Sequence, residues 1–394
     1  LGEPVGSGKG VPAVNRKKRS IGHAPSWHSG QKAECLQSVK QEGEEEILTR
    51  IEVNTLLEKA TQATGCDDFG DIPFRDALGR LVDAANSEAA LSQDGVGRFE
   101  GSVLGYLTNR LKIVDYINHH TELLERTISK PLFVFGLPRT GTTLTINLLA
   151  SDPASRCYTR WEALNSVPPS KPDGWKTDPR YIAEQQRVAG SLKYMPHLSA
   201  IHHEDAGSPS ECQFAMAMSF CAQVFDSVLD IPSYHKWFLY EADYEPAFQF
   251  PKIQLQVMHP LFLDALTNVY PDAQLVMTHR DPLEVVGSAC SLLRAVRPIY
   301  SDRVDGRRIA DCLMETFDVM IARVAAYRKK HGDDAIFDID YAEQVSDPIA
   351  TIRKVYAHVD EPFSKEAETA MRASIANNPQ GKHGKHHYSL EEFG

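Results

Sequence analysis

The sequence predicts an α/β fold: a P-loop-like parallel sheet flanked by helices, preceded by a helical N-terminal subdomain. Three observations predict it. Residues 130–150 read as strand, glycine-bounded loop and helix within one short stretch. Downstream, strand-like and helix-like segments alternate, the pattern of a parallel sheet covered by helices. Upstream, from Ile47 to Ser129, apolar residues recur at spacings of three and four, the period of amphipathic helices.

Residues 1–45 are rich in Gly, Ser, Pro and charge, with a basic cluster Arg16–Arg19, and the expectation there is a disordered tail. Residues 46–130 form the expected helical subdomain. Its stripes are Val53, Leu56, Leu57 and Ala60, then Leu78, Leu81, Val82 and Ala85, then Leu104, Leu107, Leu111 and Val114, punctuated by Gly65 and Gly95. The α/β domain is expected over 131–394. Leu132 to Phe135 is an apolar run fit for a buried parallel strand, and Leu144, Leu148 and Leu149 resume a helical pattern after the loop. Asp178-Pro179, Asp281-Pro282 and Asp347-Pro348 each read as a helix start with proline in the first turn, and Ser208-Pro209-Ser210-Glu211 reads as a capping box. Residues 274–278 and 335–340 read as strands, separated by a long helix carrying Ile309, Leu313, Phe317, Met320 and Val324 and ending at Gly332.

Composition narrows the function. The chain of 394 residues is 42% hydrophobic, enough for a sizeable core, and its formal charge of -11 argues against wholesale binding of nucleic acid or anionic membranes. Any anionic ligand must be held by local cations. Seven scattered cysteines without a CxxC spacing point to reduced thiols, no run reaches the roughly eighteen apolar residues of a membrane span, and the expected location is the cytoplasm.

The chemistry concentrates in three places. Gly136 and Gly141 bound a loop that enters a helix at Thr142 and Thr143, so loop N–H groups and a helix N-terminus converge as an anion cradle. The Walker A signature requires lysine where Thr142 stands, and the cation has instead moved into the loop as Arg139, which suits a nucleotide lacking a γ-phosphate. Arg280 ends a strand and Ser288 lies on the next helix, placed to grip a phosphate together. The C-terminal stretch carries Gly381, Lys382, His383, Gly384, Lys385, His386 and His387, a flexible cationic loop. No cysteine or carboxylate completes a metal-ligand set around those histidines, so phosphate contact is preferred and no metal is expected.

Together these segments resemble the PAPS-dependent sulfotransferases, in the bacterial-type branch with a helical N-terminal extension, over roughly residues 47–394. The match lies in Pro138-Arg139-Thr140-Gly141-Thr142-Thr143 for the 5′-phosphosulfate loop, in Arg280 and Ser288 for the 3′-phosphate site, and in Gly381, Lys382 and Gly384, followed by Tyr388–Gly394, for the loop that closes over the nucleotide. The resemblance implies transfer of a sulfuryl group from 3′-phosphoadenosine 5′-phosphosulfate, as co-substrate, to a hydroxyl or amine of a small acceptor, without a metal. It implies that Arg139 stabilises the leaving phosphate and that His259, four positions before the Leu263–Leu266 helix, is the base. The family's lysine on the preceding strand is replaced by Leu255, and the chain is shortened between Phe248 and His259, where residues 252–258 either refill that strand or leave it lost.

Other candidate bases are His202, His203, Glu204 and Asp205, in a segment that resembles the family's acceptor site, and Glu211, which the capping box also explains. Trp161 and Glu162 are expected to shape the pocket. Phe214, Phe220, Phe225, Tyr234, Trp237, Phe238 and Tyr240 allow an apolar acceptor pocket or simply core. The competing readings are a P-loop kinase and a sulfotransferase-like protein that binds nucleotide without turnover; the oligomeric state is left open.

Overall fold

Three short apolar runs pair as a parallel sheet: β1 (Leu132–Gly136), β2 (Gln274–His279) and β3 (Phe337–Asp340), in the order β1-β2-β3. The structure is a computed structural model, and it describes residues 50–70, 73–125, 128–171, 174–194, 205–250, 260–379 and 388–394. Residues 252–258, the expected replacement strand, lie outside that set. Phe133 pairs with Leu275, Gly136 with Thr278 and His279 with Asp340, so the three C-terminal strand ends lie side by side. That edge is where open α/β sheets bind ligands.

Alternation along the strands sorts the core into two layers. Val134, Val276 and Ile339 face one side and pack with Ile146 and Leu149 of α4 (Thr142–Ala150), Ile352 and Val355 of α15 (Pro348–His358) and Met371 of α16 (Lys365–Asn377). Phe133, Phe135, Leu275 and Met277 face the other side. There they share one apolar cluster with Leu56 of α1 (Val53–Thr64), Leu78 of α2 (Arg75–Ser87) and Leu107 of α3 (Gln93–His119). The same cluster takes in the rings of α8 (Gln223–Val228) and α9 (Pro232–Tyr240), and Met320 of α13 (Gly306–His331). Phe220, Phe225, Tyr234, Trp237 and Phe238 are therefore core, and Tyr240 is exposed. No helix among the described residues is long and apolar enough to cross a membrane.

Local helix signals hold where nothing competes. The Asp281 carboxylate accepts from Leu283 N at 2.9 Å and Glu284 N at 3.3 Å to start α12 (Pro282–Val296), and Asp347 accepts from Ala350 N at 3.0 Å to start α15. Asp178 precedes Pro179 at the start of α6 (Pro179–Tyr194). Two expectations fail. The capping box at Ser208–Glu211 does not form: Arg160 N donates to Ser208 O, Ser210 N donates to Tyr158 O, and Pro209 bridges Thr159, so long-range pairing holds the segment extended and α7 begins only at Cys212 (Cys212–Met216). Gly95 does not break a helix but lies in the first turn of α3, where a Cβ would stand 1.9 Å from Tyr300 O. Glycine is needed there for close approach, while Ser92 Oγ caps the helix through Gly95 N at 3.0 Å.

Candidate active site

β1 delivers the chain to the sheet edge at Gly136, and the loop turns back into α4 through two left-handed residues, Arg139 at φ 72° and Gly141 at φ 104°. Gly136 is required by contact, since a Cβ would meet the hydroxyls of Thr278 at 2.5 Å and Thr140 at 2.6 Å. Thr140 spends its hydroxyl inside the loop, donating to Leu137 O at 2.6 Å and lying 2.7 Å from Thr278 Oγ1. Only its backbone N–H is left for a ligand. Thr142 and Thr143 open the helix after Gly141, which has no side chain to cap it, so first-turn N–H groups face the loop opening. Pro138 is half-buried in the loop.

Two residues that sequence reasoning missed brace this turn, Tyr341 and Gln344 of α14 (Tyr341–Ser346), which follows β3. A Cβ on Gly141 would stand 2.7 Å from Gln344 Oε1 and 2.9 Å from the Tyr341 ring. Gln344 is fully buried, and its Nε2 donates at 2.6 Å to Thr145 Oγ1, which itself donates to Gly141 O at 3.2 Å. The rule that drew attention to Arg280, the end of a parallel strand, would also have found Tyr341. Nothing in the sequence marked Gln344.

The structure brings the two expected phosphate-binding groups into one cluster. Arg139 Nε donates to Ser288 Oγ at 3.0 Å, and Arg280 Nη1 donates to the carbonyl of Arg139 at 3.1 Å. Arg280 lies over the Tyr341 ring at 4.4 Å and pairs with the exposed Glu284 at 2.5 Å. Among the described residues no carboxylate lies within ion-pair distance of Arg139. Burial, and then the neighbouring Arg280 charge, hold the Arg139 guanidinium below its ordinary value, while Tyr341 and Tyr388 oppose them. A desolvated cation beside a second cation favours binding of an anion.

The C-terminal segment packs beside this cluster: Tyr388 Oη donates to Glu284 O at 3.3 Å, and its ring covers Gly287, where a Cβ would be 2.4 Å away. Gly381, Lys382 and Gly384 lie outside the described residues, as do His259, His202, His203 and Glu204. Asp205 accepts from Gln185 Nε2 at 3.1 Å and Gly207 N at 2.8 Å, a loop brace. Glu211 immediately precedes α7. Glu162, on α5 (Arg160–Leu164) with the buried Trp161, accepts from both Arg156 nitrogens at 2.5 and 3.1 Å, from Thr159 Oγ1 at 2.7 Å and from Ser170. Burial pushes its carboxyl up, but those donors outweigh burial and hold it below the usual carboxylate range, which makes it a weak base. Among the described residues, no group of three or more His, Cys, Asp or Glu side chains could hold a metal ion.

A sequence profile of the sulfotransferase family matches residues 131–365. Among solved structures, sulfotransferase STF1 from Mycobacterium tuberculosis H37Rv is similar at 28% identity and a TM-score of 0.78, over 88% of this chain and 96% of its own. Sulfotransferase STF9 from Mycobacterium avium is similar at 28% identity and a TM-score of 0.80, over 90% of this chain and 94% of its own. No curated protein matches. The profile spans more than half of the sequence, from the first residue before β1 to the first residue of α16, and the chain belongs to the sulfotransferase family, whose enzymes transfer sulfuryl groups.

Proposed function

We propose that the protein transfers the sulfuryl group of 3′-phosphoadenosine 5′-phosphosulfate to a hydroxyl or amine of a small-molecule acceptor. The observation that carries the reading is the bond between Arg139 and Ser288, with Arg280 on the Arg139 carbonyl. It unites a 5′-phosphate cradle and a 3′-phosphate clamp, the two recognition elements that this nucleotide requires and that a triphosphate does not. Arg139, Thr142 and the first-turn amides of α4 hold the 5′ end; Arg280 and Ser288 hold the 3′-phosphate. The family resemblance adds Gly381, Lys382 and Gly384 to the groups that bind the same nucleotide.

When bound, the donor supplies an activated sulfuryl group. The acceptor oxygen or nitrogen forms a bond to sulfur, the bond from sulfur to the bridging oxygen breaks, and its electron pair stays on the phosphate that Arg139 stabilises. The acceptor proton passes to His259. Preorganised donors aimed at the developing charge are worth on the order of a hundredfold each or more in rate, and in-line placement by the two anchors contributes further.

The test is sulfuryl transfer from the labelled donor to a panel of alcohols, phenols, amines and sugars, beside calorimetric titration with 3′-phosphoadenosine 5′-phosphate. Transfer with tight nucleotide binding is expected. Binding without transfer to any acceptor would mean a nucleotide-binding relative instead. His259→Ala is expected to lower kcat about a hundredfold or more at unchanged nucleotide affinity; normal turnover in that variant removes His259 as the base.

A further inference from the structure

We infer that the cleft beside α4 is a subsite for a neutral, hydroxyl-rich acceptor, a saccharide, an inference that rests on the sulfuryl-transfer reading above. The cleft has a volume of about 460 Å³ and is walled by Asn147 on α4 and Ser151 at its C-cap, by Trp175 and Tyr181, and by Asp205 and Ser208 on the neighbouring loop. Trp175 and Tyr181 meet edge to face, their ring centroids 5.0 Å apart at 88°, and form an aromatic corner. Gly207 lets that corner close, since a Cβ there would stand 2.8 Å from the Trp175 ring.

The polar groups around the corner are held in place before any ligand arrives. Asn147 Nδ2 donates to Thr143 O at 2.7 Å, and Ser151 Oγ donates to Asn147 O at 2.7 Å. Asp205 is anchored by Gln185 and Gly207 through one bond to each oxygen, and a carboxylate has about four lone-pair sites, so acceptor capacity remains. The charges in the wall are Asp205 and Lys176, one of each sign, which disfavours a strongly charged ligand. Hydroxyls and amides outnumber apolar groups, which disfavours a lipid tail. A pyranose presents a C–H face to an aromatic ring and a rim of hydroxyls to fixed donors and acceptors, and it matches both features. This also differs from the apolar acceptor pocket that the 214–250 rings allowed, since most of those rings are spent in the core.

The cleft lies along the helix that carries the anion cradle. Thr143 and Asn147 stand at i and i+4 on one face of α4, Ser151 continues that spacing at the C-cap, and Asn147 is one turn, roughly 6 Å, from Thr143. A sugar lying along that face therefore brings a hydroxyl at its Asn147 end toward the start of the helix. In the transfer step that hydroxyl oxygen bonds to sulfur, the sulfur–phosphate oxygen bond breaks with its electrons on phosphate, and the hydroxyl proton goes to the base.

The experiment titrates the full chain, loaded with 3′-phosphoadenosine 5′-phosphate, with glucose, galactose, N-acetylglucosamine and maltose, following tryptophan fluorescence and heat. Saturable binding of at least one sugar is expected. Trp175→Phe should keep the heat signal and lose the fluorescence change, and both Trp175→Ala and Asn147→Ala should weaken the sugar about tenfold or more while nucleotide affinity is unchanged. With the unlabelled donor in place of the product, mass spectrometry should find a monosulfated sugar. Nucleotide binding without saturable sugar binding, or sugar binding indifferent to both Trp175→Ala and Asn147→Ala, overturns the subsite and leaves the donor reading standing. Failure of the nucleotide to bind overturns the donor reading itself.

Discussion

Replacing Arg139 with glycine separates what the loop needs for stability from what it needs for function. Arg139 sits at φ 72°, a left-handed conformation that costs a non-glycine residue about 1 kcal/mol. It is also desolvated beside Arg280. Arg139→Gly relieves both costs. Against that, the variant loses the 3.0 Å bond to Ser288, worth about 1 kcal/mol, and adds glycine's unfolded-state entropy, about 0.5–1 kcal/mol. These contributions nearly cancel, so Tm should stay within about 2–4 °C of the parent. Function has no such compensation. Losing one charge-assisted donor to the phosphate removes about 1.5–3 kcal/mol, or roughly 10- to 150-fold in affinity for 3′-phosphoadenosine 5′-phosphate. In the transition state, losing one preorganised donor costs about 2.7–4 kcal/mol, on the order of a hundred- to a thousandfold in kcat. Scanning calorimetry with isothermal titration measures both sides. An affinity within about twofold of the parent would refute the role assigned to Arg139, and a Tm drop well beyond the range above would show that the residue is structural.

Two further outcomes follow from the ion pairs of Arg280 and His235. The exposed Glu284 pairs with Arg280 at 2.5 Å and so competes with an incoming phosphate; Glu284→Gln should tighten nucleotide binding roughly two- to fivefold, the scale of an exposed pair, and the gain should shrink in high salt. His235 on α9 is buried between Asp226, at 2.7 Å from Nδ1, and Glu315, at 3.5 Å from Nε2. Burial lowers its pKa, but the two carboxylates outweigh burial and raise it above the ordinary 6.5. A raised folded pKa means that the stabilisation is fully present below 6.5 and fades as pH climbs through the raised value. The Tm advantage of the parent over His235→Gln should therefore be largest in mildly acid buffer and shrink toward alkaline pH, each kcal/mol moving Tm by about 2–4 °C. A constant difference would contradict the assignment.

The shape of the loop at 136–143 was legible because its geometry dictates residue types. A turn at φ 104° against the Gln344 side chain demands glycine at 141, a cradle without lysine at 142 needs its cation elsewhere, and Arg139 is the cation that stands in the loop. Asp281 and Asp347 were legible because capping is local. The remainder depends on contacts between distant positions. Gln344 reaches Thr145 across the sheet edge, and no local pattern announces that bond. Ser208–Glu211 carried a sound capping signal that lost to backbone pairing with residues 158–160. The rings of 214–250 have the same composition whether they line a pocket or fill a core, and here most fill the core. Trp175, Tyr181 and Asp205 lie apart in sequence, so their shared cleft appears only once the chain is folded.

The central claim is that one bonded cluster, Arg139, Ser288 and Arg280, recognises a nucleotide phosphorylated at both its 5′ and 3′ positions. Its most direct test is calorimetric titration of the unmodified protein with 3′-phosphoadenosine 5′-phosphate, adenosine 5′-phosphate and magnesium ATP. The 3′-phosphorylated nucleotide should bind at least about tenfold more tightly than adenosine 5′-phosphate, because the Arg280 and Ser288 clamp adds charge-assisted bonds of about 1.5–3 kcal/mol. Equal affinity for the first two, or preference for magnesium ATP, would contradict it.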